Sequence, residues 1–369
     1  MKKIVGIIVI SLVIVSLALT ACAKPAPTPS PSPAPAPAPA PAPAQPAQPI
    51  KWTFQAAFPA GDPWYEDAVE IIKKRIMPAA GGRLVIDIFP AGAVVPDTQE
   101  ADSLRTGTLD YAYTANGYNK HLNPAFPLFD QMAGGLSTTQ LYYWLQAYGG
   151  NELAEAEYAK FDIKYLCCQL GPPEDFAYTK GIELKTLDDV KKLKMRTAGV
   201  GGEIMQKLGA STVFLPGGEL YESMQRGVIN SFEYSGAASF LDMHFNEVVS
   251  HLYISYSRAP SDSNVMLVSM KSWNALPDDL KSIVLWIQRG AQQLTWERTI
   301  PRNGAALQKI KEYGIKVERL PKEIEDAVIA TAQAYFDAEV AKYGPNSLYA
   351  KVVKSMREFK VLCEAQGVF

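Results

Sequence analysis

The stretch Leu193–Tyr234, LKMRTAGVGGEIMQKLGASTVFLPGGELYESMQRGVINSFEY, carries the patterns that decide the fold of this chain. Apolar and charged residues alternate over 193–196, as in a short strand with one buried face. A glycine-rich turn follows, and then a helical segment that ends at Gly209. This order of strand, turn and helix indicates an open α/β sheet, whose ligands bind beyond the carboxyl ends of its strands.

Arg196 stands where the first of these strands ends. Its guanidinium is a planar fork of donors that fits a carboxylate in two parallel hydrogen bonds. One interpretation is therefore that Arg196 holds an organic acid. The alternative is a surface arginine paired with Asp188 or Asp189, since structural ion pairs are common. The residue types alone leave both interpretations open.

Length and composition set the broad class of the protein. The chain has 369 residues, of which 48% are hydrophobic and 20% charged, as in ordinary globular proteins. About 320 residues remain once the N-terminal segments described below are set aside, enough for two domains with cores of their own. The formal net charge of −2 shows no excess of basic residues, so we expect no nucleic-acid partner.

The N-terminal segment has the features of an export signal, which we predict over residues 1–21. Two lysines precede an apolar run that ends in Leu19-Thr20-Ala21-Cys22, a sequence that resembles the lipobox of bacterial lipoproteins. Cys22 is then the predicted site of lipidation. A simple transmembrane anchor is the alternative, although the apolar run is shorter than the ~20 residues that usually span a bilayer.

Residues 22–49 are rich in proline and alanine and form a predicted linker. Such a segment cannot bury a core, and its prolines hold it extended. We therefore expect the folded body to be anchored to the cell membrane through lipid on Cys22, at its extracytoplasmic face in the periplasm or at the cell surface.

The remaining chain alternates strands with amphipathic helices in two successive halves. This alternation predicts an α/β fold of parallel sheets covered by helices, with two lobes, a hinge and an interdomain cleft. The strand predicted at 263–269 is expected to return to the first lobe. The predicted boundaries are 51–173 and 263–307 for lobe I, 174–262 and 308–320 for lobe II, and 321–369 for long C-terminal helices.

Catalytic and metal motifs are missing from the sequence. It contains no G-x-S-x-G elbow and no phosphate-binding loop. His121, His244 and His251 lack metal-ligand spacing. Cys167 and Cys168 are adjacent in an apolar run and are expected to pack in the core. These absences argue against an enzyme with a catalytic cofactor and favour a cleft that binds a solute.

Glu233 and Tyr234 end a predicted strand in the same lobe as Arg196 and are expected near it. A carboxylate beside an anionic ligand repels that ligand unless a cation lies between them. This arrangement suggests a bound Na⁺ or Ca²⁺ held by oxygen ligands. The alternative is that Glu233 is a solvated charge at a strand end, and spacing alone does not choose between the two.

The body of the chain resembles the substrate-binding proteins of tripartite ATP-independent periplasmic (TRAP) transporters, the DctP-like family. LDDVKKLKMR at 187–196 is similar to a family segment whose arginine pairs with the ligand carboxylate. The resemblance extends over nearly all of 51–369. The other matching segments are GRL at 82–84, FPAG at 89–92, GTLD at 107–110, KLGA at 207–210, LPGGELY at 215–221 and QRGVI at 225–229.

The resemblance implies a periplasmic-binding-protein-like fold that delivers a small organic acid to the membrane subunits of a TRAP transporter. LPGGE and the acid–aromatic pair at 233–234 look like the branch that binds 2-oxo or 2-hydroxy acids (the mannitol/chloroaromatic type) with a metal cation. By this resemblance the Glu233 side chain and the Tyr234 carbonyl are cation ligands. The branch usually has tryptophan where Tyr234 stands.

Further binding residues follow from the same resemblance. Gln169 is the nearest candidate for a glutamine that binds the cation, although the segment after it departs from the family pattern. Tyr118 matches an aromatic residue that donates its hydroxyl to the ligand, and Asn116 is expected to assist. Trp64 is expected to cap the cleft.

The long C-terminal helices also resemble that branch, in which they are exchanged between protomers of a dimer. A homodimer is therefore one expectation, and helices that fold back on their own chain are the other. Two further functions stay open from sequence: a ligand sensor lipoprotein without a permease, and an enzyme that uses the same cleft. Identities of the acid and the cation do not follow from these patterns.

Overall fold

The computed structural model describes residues 48–367, so the predicted signal peptide, Cys22 and most of the linker lie outside the described residues. The strands of this part form two mixed sheets. The first sheet has the order β2-β1-β3-β10-β4 and the second β11-β9-β5-β8-β6-β7. The strands are β1 Ile50–Ala56, β2 Leu84–Phe89, β3 Tyr111–Ala115, β4 Ile163–Gly171, β5 Ala177–Thr179, β6 Lys194–Arg196, β7 Ser211–Val213, β8 Ser231–Phe232, β9 His251–Ile254, β10 Asp262–Ser269 and β11 Lys316–Arg319.

Helices connect the strands and cover the sheets. Asp62 caps the first helix by accepting from the Trp64 amide, and Pro63 occupies its first turn, as the sequence predicts. The helices are α1 Pro63–Ile71, α2 Met77–Ala79, α3 Glu100–Thr106, α4 Thr138–Ala147, α5 Gly150–Tyr158, α6 Leu187–Val190, α7 Gly201–Lys207, α8 Leu220–Gln225, α9 Ala237–Asp242, α10 Met270–Ala275, α11 Asp278–Ala291, α12 Leu294–Glu312, α13 Lys322–Tyr343 and α14 Leu348–Ala365. A π-helical segment, Ile72–Ile76, joins α1 to α2, and a 3₁₀ turn, Asn116–His121, follows β3.

The first sheet confirms two predictions: its first three strands are parallel, and the strand predicted at 263–269 returns to this sheet. β1 lies between β2 and β3 and is parallel to both. β10 inserts between β3 and β4 and is antiparallel to each of them. Because β10 enters from the segment that builds the second sheet, its first residues lie where the chain passes between the two sheets.

The second sheet places Arg196 at a carboxyl strand end. β6 lies between β7 and β8 and is parallel to both, with Arg196 aligned to Val213 and Phe232. The segments that leave β6 and β8 therefore emerge at the same edge of the sheet. Beyond the end of β7 at Val213, the Leu215 carbonyl accepts from the Arg196 side chain rather than from a neighbouring strand.

Three short elements of the second half were not predicted: β5, β9 and α9. β5 has three residues and β9 four, too few for an alternating pattern to stand out. They pair antiparallel with each other, and β5 also pairs antiparallel with β8. Both strands are buried in this mixed arrangement and have no polar face. Their sequences therefore lack the alternation of polar and apolar residues that would predict a strand.

The two C-terminal helices pack on their own chain. α13 and α14 contribute Val328, Phe336, Val352 and Met356 to the core cluster that also contains Trp144. The structure thus shows the folded-back arrangement for the single chain. No helix within 48–367 is both long and apolar enough to span a membrane.

One buried carboxyl group ties the first helices to the first sheet. Glu100 opens α3, where Oε1 accepts from Gln55 Nε2 at 3.1 Å and Oε2 accepts from Thr114 Oγ1 at 3.2 Å. Gln55 lies on β1 and Thr114 on β3. Burial raises the pKa of Glu100 to about 7, in spite of these hydrogen bonds.

This pKa predicts a pH dependence of stability. Between the unfolded pKa of 4.5 and the folded value of about 7, the folded state holds a proton that the unfolded state releases. The free energy of unfolding should therefore fall as pH rises through this window, by up to about 3 kcal/mol from this group. Denaturant unfolding of wild type and Glu100→Gln at pH 5 and pH 8 measures it. We expect the variant to lose less stability than wild type between the two pH values, and an equal loss would contradict the prediction.

Candidate functional site

A small cavity of about 40 Å³ lies between the two sheets. The first-sheet side supplies aromatic residues together with Asp262 and Asn264 of β10, and the second-sheet side supplies Arg196 and the residues after β8. The lining consists of Phe58, Trp64, Ala115, Tyr118, Asp130, Gln131, Glu174, Arg196, Ala198, Glu233, Tyr234, Ser235, Asp262 and Asn264. The cavity therefore combines charged and polar side chains with an aromatic wall.

Arg196 is buried in this lining, with a relative exposure of 1%. Its Nε donates to the Leu215 carbonyl at 2.8 Å, and its Nη1 donates to the Glu233 carbonyl at 2.8 Å. Nη1 also lies 3.4 Å from Glu233 Oε1. Among the described residues no acceptor engages Nη2. The guanidinium is thus fixed through Nε and Nη1 and keeps the Nη2 donors for a further partner.

The alternative pairing of Arg196 with Asp188 or Asp189 is wrong. Asp188 pairs with Lys191 and Asp189 with Lys192, one helical turn away in each case. The aspartates cap and flank α6 at the surface, whereas the Arg196 side chain points inward from β6.

The guanidinium of Arg196 also lies between two aromatic rings. Its Cζ is 5.8 Å from the centroid of Phe214 and 5.9 Å from that of Tyr234. Rings at this distance stabilise a cation and restrict its orientation. Gly217 makes room for Tyr234, since a Cβ at this position would lie 2.6 Å from the ring.

Glu233 lies beside Arg196, as predicted. Its Oε1 accepts from the Ala198 amide at 2.6 Å, and its Oε2 lies 3.7 Å from Arg258 Nη1. The neighbouring residue Ser235 has a φ of 47°, in the left-handed region that non-glycine residues rarely adopt. Strained backbone of this kind concentrates at functional sites.

Several site residues escaped the sequence analysis: Asp130, Gln131, Glu174, Asp262 and Asn264 of the lining, and Arg258, which pairs with Glu174. Glu174 accepts from Arg258 Nη2 at 2.6 Å and from the Ser235 amide at 2.9 Å. Both side chains are buried. Burial and the nearby Glu233 carboxylate raise the pKa of Glu174 to about 7. The signal available in sequence was the acidic pair Glu174-Asp175 directly after β4, at the passage between the predicted lobes.

The site fits a hard cation with oxygen ligands. Four buried carboxyl groups line the cavity, those of Asp130, Glu174, Glu233 and Asp262, and no described donor occupies the Tyr234 carbonyl. No cluster of three or more His, Cys, Asp or Glu side chains suited to a metal is found within 48–367. A cation here would therefore need the backbone carbonyl and ligand oxygens in addition to the carboxylates.

Tyr118 and Trp64 line the cavity from the first-sheet side, as predicted. The Tyr118 ring meets Phe214 edge-on at 5.4 Å, and burial raises the pKa of its hydroxyl to about 12, so it remains a donor. Trp64 Nε1 donates to Ser235 Oγ at 3.2 Å.

A second contact spans the cavity beside Trp64. The Tyr234 hydroxyl donates to Asp62 Oδ2 at 2.9 Å, and burial raises the pKa of Asp62 to about 7. Asp62 was predicted only as a helix cap, and its second oxygen joins α1 to the segment after β8.

Asn116 and Gln169 do not line the cavity, which corrects their predicted placement. Asn116 accepts from the Tyr158 hydroxyl at 2.8 Å within the core. Gln169 Nε2 donates to Gln288 Oε1 at 2.9 Å. Gln169 lies within β4, which continues to Gly171, and the Gln169 side chain points toward α11. Glu174, which follows this strand, lies nearer to Glu233.

Cys167 and Cys168 are free thiols buried in the core, as predicted. Burial raises the pKa of Cys168 to about 11 and lifts that of Cys167 further. Both thiols are therefore protonated near neutral pH and serve in packing.

Comparisons with known proteins place this architecture among solute receptors. The monocarboxylate 2-oxoacid-binding periplasmic protein of a Nostoc species is 27% identical over 312 residues, which are 84% of each chain. A TRAP transporter solute-binding protein from Bordetella bronchiseptica, a dimer with copurified calcium and picolinate, has a TM-score of 0.80 at 26% identity. This match covers 84% of the present chain and 91% of that one.

A TRAP periplasmic solute-binding protein from Colwellia psychrerythraea, with bound calcium and pyruvate, has the same fold. Its TM-score is also 0.80 at 24% identity, over 86% of this chain and 96% of that one. The family model DctP, bacterial extracellular solute-binding protein family 7, matches residues 54–342. The chain therefore belongs to the bacterial extracellular solute-binding proteins of family 7.

Proposed function

We propose that this protein captures a small organic acid in the cavity between its two sheets and delivers it to a TRAP-type membrane transporter. The observation that carries the proposal is the buried Arg196 guanidinium, which lines the cavity, is held through Nε and Nη1, and has no acceptor on Nη2 among the described residues. A carboxylate is the natural partner of such a group. The bound acids of the similar receptors support this class of ligand.

A cation accompanies the acid in this proposal. Arg196 and Arg258 lie beside Glu233 and Glu174, and two further buried carboxyl groups, those of Asp130 and Asp262, line the same cavity. The cavity thus holds more carboxyl groups than arginines, and an ionised carboxyl would repel an anionic ligand unless a cation lies between them. The Glu233 and Glu174 side chains and the Tyr234 carbonyl would hold Na⁺ or Ca²⁺, and an acid oxygen would complete the coordination.

The substrate would leave chemically unchanged. The site brings together acids, arginines and aromatic rings, and the described lining contains no cysteine or histidine. Its serine, Ser235, accepts from Trp64 and has no histidine beside it. We therefore propose a receptor that binds and releases its ligand, without an enzymatic step.

The Arg196 assignment makes a direct prediction about affinity. Arg196→Ala should cost ~2–5 kcal/mol of binding free energy, because it leaves the ligand carboxylate buried without a partner. Arg196→Lys should also weaken binding, since it keeps the charge and loses the bidentate fork. Isothermal calorimetry with pyruvate and lactate in the presence of Ca²⁺ measures both effects.

Arg226→Ala is the matched control, because Arg226 is exposed and pairs with Glu222 at the surface. Thermal unfolding of each variant separates lost binding from lost folding. A folded Arg196→Lys protein that binds the acid as tightly as wild type would contradict the assignment.

The location of the protein gives a second prediction. We propose that Cys22 is acylated and that the linker 22–49 holds the body at the extracytoplasmic side of the membrane. In a bacterial host, wild type should take up a labelled fatty acid and sediment with membranes. Cys22→Ser should lose the label and appear in the soluble fraction. Equal labelling and sedimentation of the two proteins would rule out lipidation at Cys22.

A further inference from the structure

A turn on the first-sheet side of the cavity docks onto the second-sheet side. The 3₁₀ turn Asn116–His121 follows β3, and a Cβ at Gly117 would lie 3.4 Å from the Cα of Gly199, in the turn after β6. The next residue, Tyr118, lines the cavity and meets Phe214, which follows β7, with ring centroids 5.4 Å apart. These contacts define a seam, the surface along which the two sides of the cavity meet.

An ion pair crosses this seam two residues beyond Tyr118. Lys120 Nζ donates to Glu203 Oε1, and Glu203 lies on α7, between β6 and β7 of the second sheet. The two side chains have relative exposures of 36% and 38%. They also line an open groove of about 450 Å³, so water and dissolved ions reach the pair.

The C-terminal helix α13 supports the acidic partner. The Tyr335 hydroxyl donates to Glu203 Oε2, so the two carboxylate oxygens have different partners. Burial and the Glu203 carboxylate raise the pKa of Tyr335 well above its usual value, so the hydroxyl stays protonated and remains a donor. α13 packs on α7 itself. Glu203 is thus held by a neighbouring helix on its own side, whereas Lys120 reaches it from across the seam.

We propose that Lys120 and Glu203 form a latch that stabilises the closed cavity and slows the release of the bound acid. This inference rests on the proposed function. Opening the cavity requires the two sides to separate, which breaks the contacts across the seam. A contact that the closed form alone makes shifts the equilibrium toward that form, and so it raises the affinity for a ligand enclosed there.

Exposure to solvent distinguishes the latch from the other bonds between the two sides. The bonds from Trp64 to Ser235 and from Tyr234 to Asp62 join buried side chains. Exposed ion pairs are individually weak and are screened by salt, whereas buried contacts are screened much less. The latch should therefore make a small contribution to affinity that depends on ionic strength.

Calorimetry with pyruvate and lactate in the presence of Ca²⁺ tests the latch. Lys120→Met removes the charge and keeps an unbranched side chain, and Glu203→Gln keeps an oxygen that can accept from Tyr335. Each variant should bind the acid about two- to fivefold more weakly than wild type, which is the effect of one exposed ion pair. The double variant should bind no more weakly than the weaker of the two single variants, because both changes break the same contact.

Lys191→Met is the matched control. Lys191 pairs with Asp188 one helical turn away, so this exposed ion pair does not cross the seam. The control removes the same charge and should bind the acid like wild type. Thermal unfolding of every variant separates a change in binding from a loss of folding.

Ionic strength tests the latch on the unaltered protein as well. Raising choline chloride from about 0.01 M to about 1 M shortens the Debye length from about 30 Å to about 3 Å, and choline leaves the Na⁺ concentration unchanged. Wild type should lose affinity as this salt is added, and Lys120→Met should lose about two- to fivefold less.

The outcomes separate the latch from the proposed function. If both folded single variants bind as tightly as wild type and respond equally to salt, the latch is overturned while the proposed function stands. Fully additive losses in the double variant would also overturn it. If neither acid binds to wild type, the proposed function fails and the latch fails with it.

Discussion

The candidate binding site depends on a buried arginine and a buried glutamate that lie side by side without using up each other's hydrogen-bonding capacity. Arg196 Nη1 and Glu233 Oε1 are 3.4 Å apart, and both side chains have a relative exposure of 2%. Removing two charges from water costs several kcal/mol for each ion, so such a pair is weak evidence of added stability. Its retention is better explained by binding, because each charge keeps capacity for a further partner. A ligand carboxylate would accept hydrogen bonds from the unused donors of Arg196, and a cation would be coordinated by the Glu233 carboxylate.

The two-sheet architecture supplies the opposite sides of this site. β6 and β8 are neighbouring parallel strands, so Arg196 and Glu233 meet at one sheet edge. The first sheet faces them with Tyr118, Trp64 and the start of β10. Hydrogen bonds from Trp64 to Ser235 and from Tyr234 to Asp62 join the two sides. Separation of the sheets would break these bonds and open the cavity, which is how such a receptor can admit and release its ligand.

Sequence patterns revealed the parts of the site that lie on regular elements. Arg196 and Glu233 could be placed together because both end predicted strands of one lobe, and carboxyl strand ends share an edge. Glu174 and Asp262 could not, because they lie where the chain passes between the sheets and only the three-dimensional path brings them to one cavity, beside the Arg258 that pairs with Glu174. Asn116 and Gln169 were misplaced for a related reason. Asn116 begins the 3₁₀ turn after β3 and bonds to Tyr158, and Gln169 bonds to Gln288 of α11, so long-range packing that no local pattern reveals decides where both side chains lie.

The central claim is that acid and cation occupy the site together, bridged by the Arg196–Glu233 pair. The direct test is calorimetric titration of lactate into protein dialysed into sodium-free buffer with chelator, before and after Ca²⁺ or Na⁺ is restored. Wild type should lose at least about tenfold in affinity without the cation and recover when it returns, whereas Glu233→Gln should respond much less. Affinity for the acid that stays unchanged in wild type after complete removal of both cations would contradict the account.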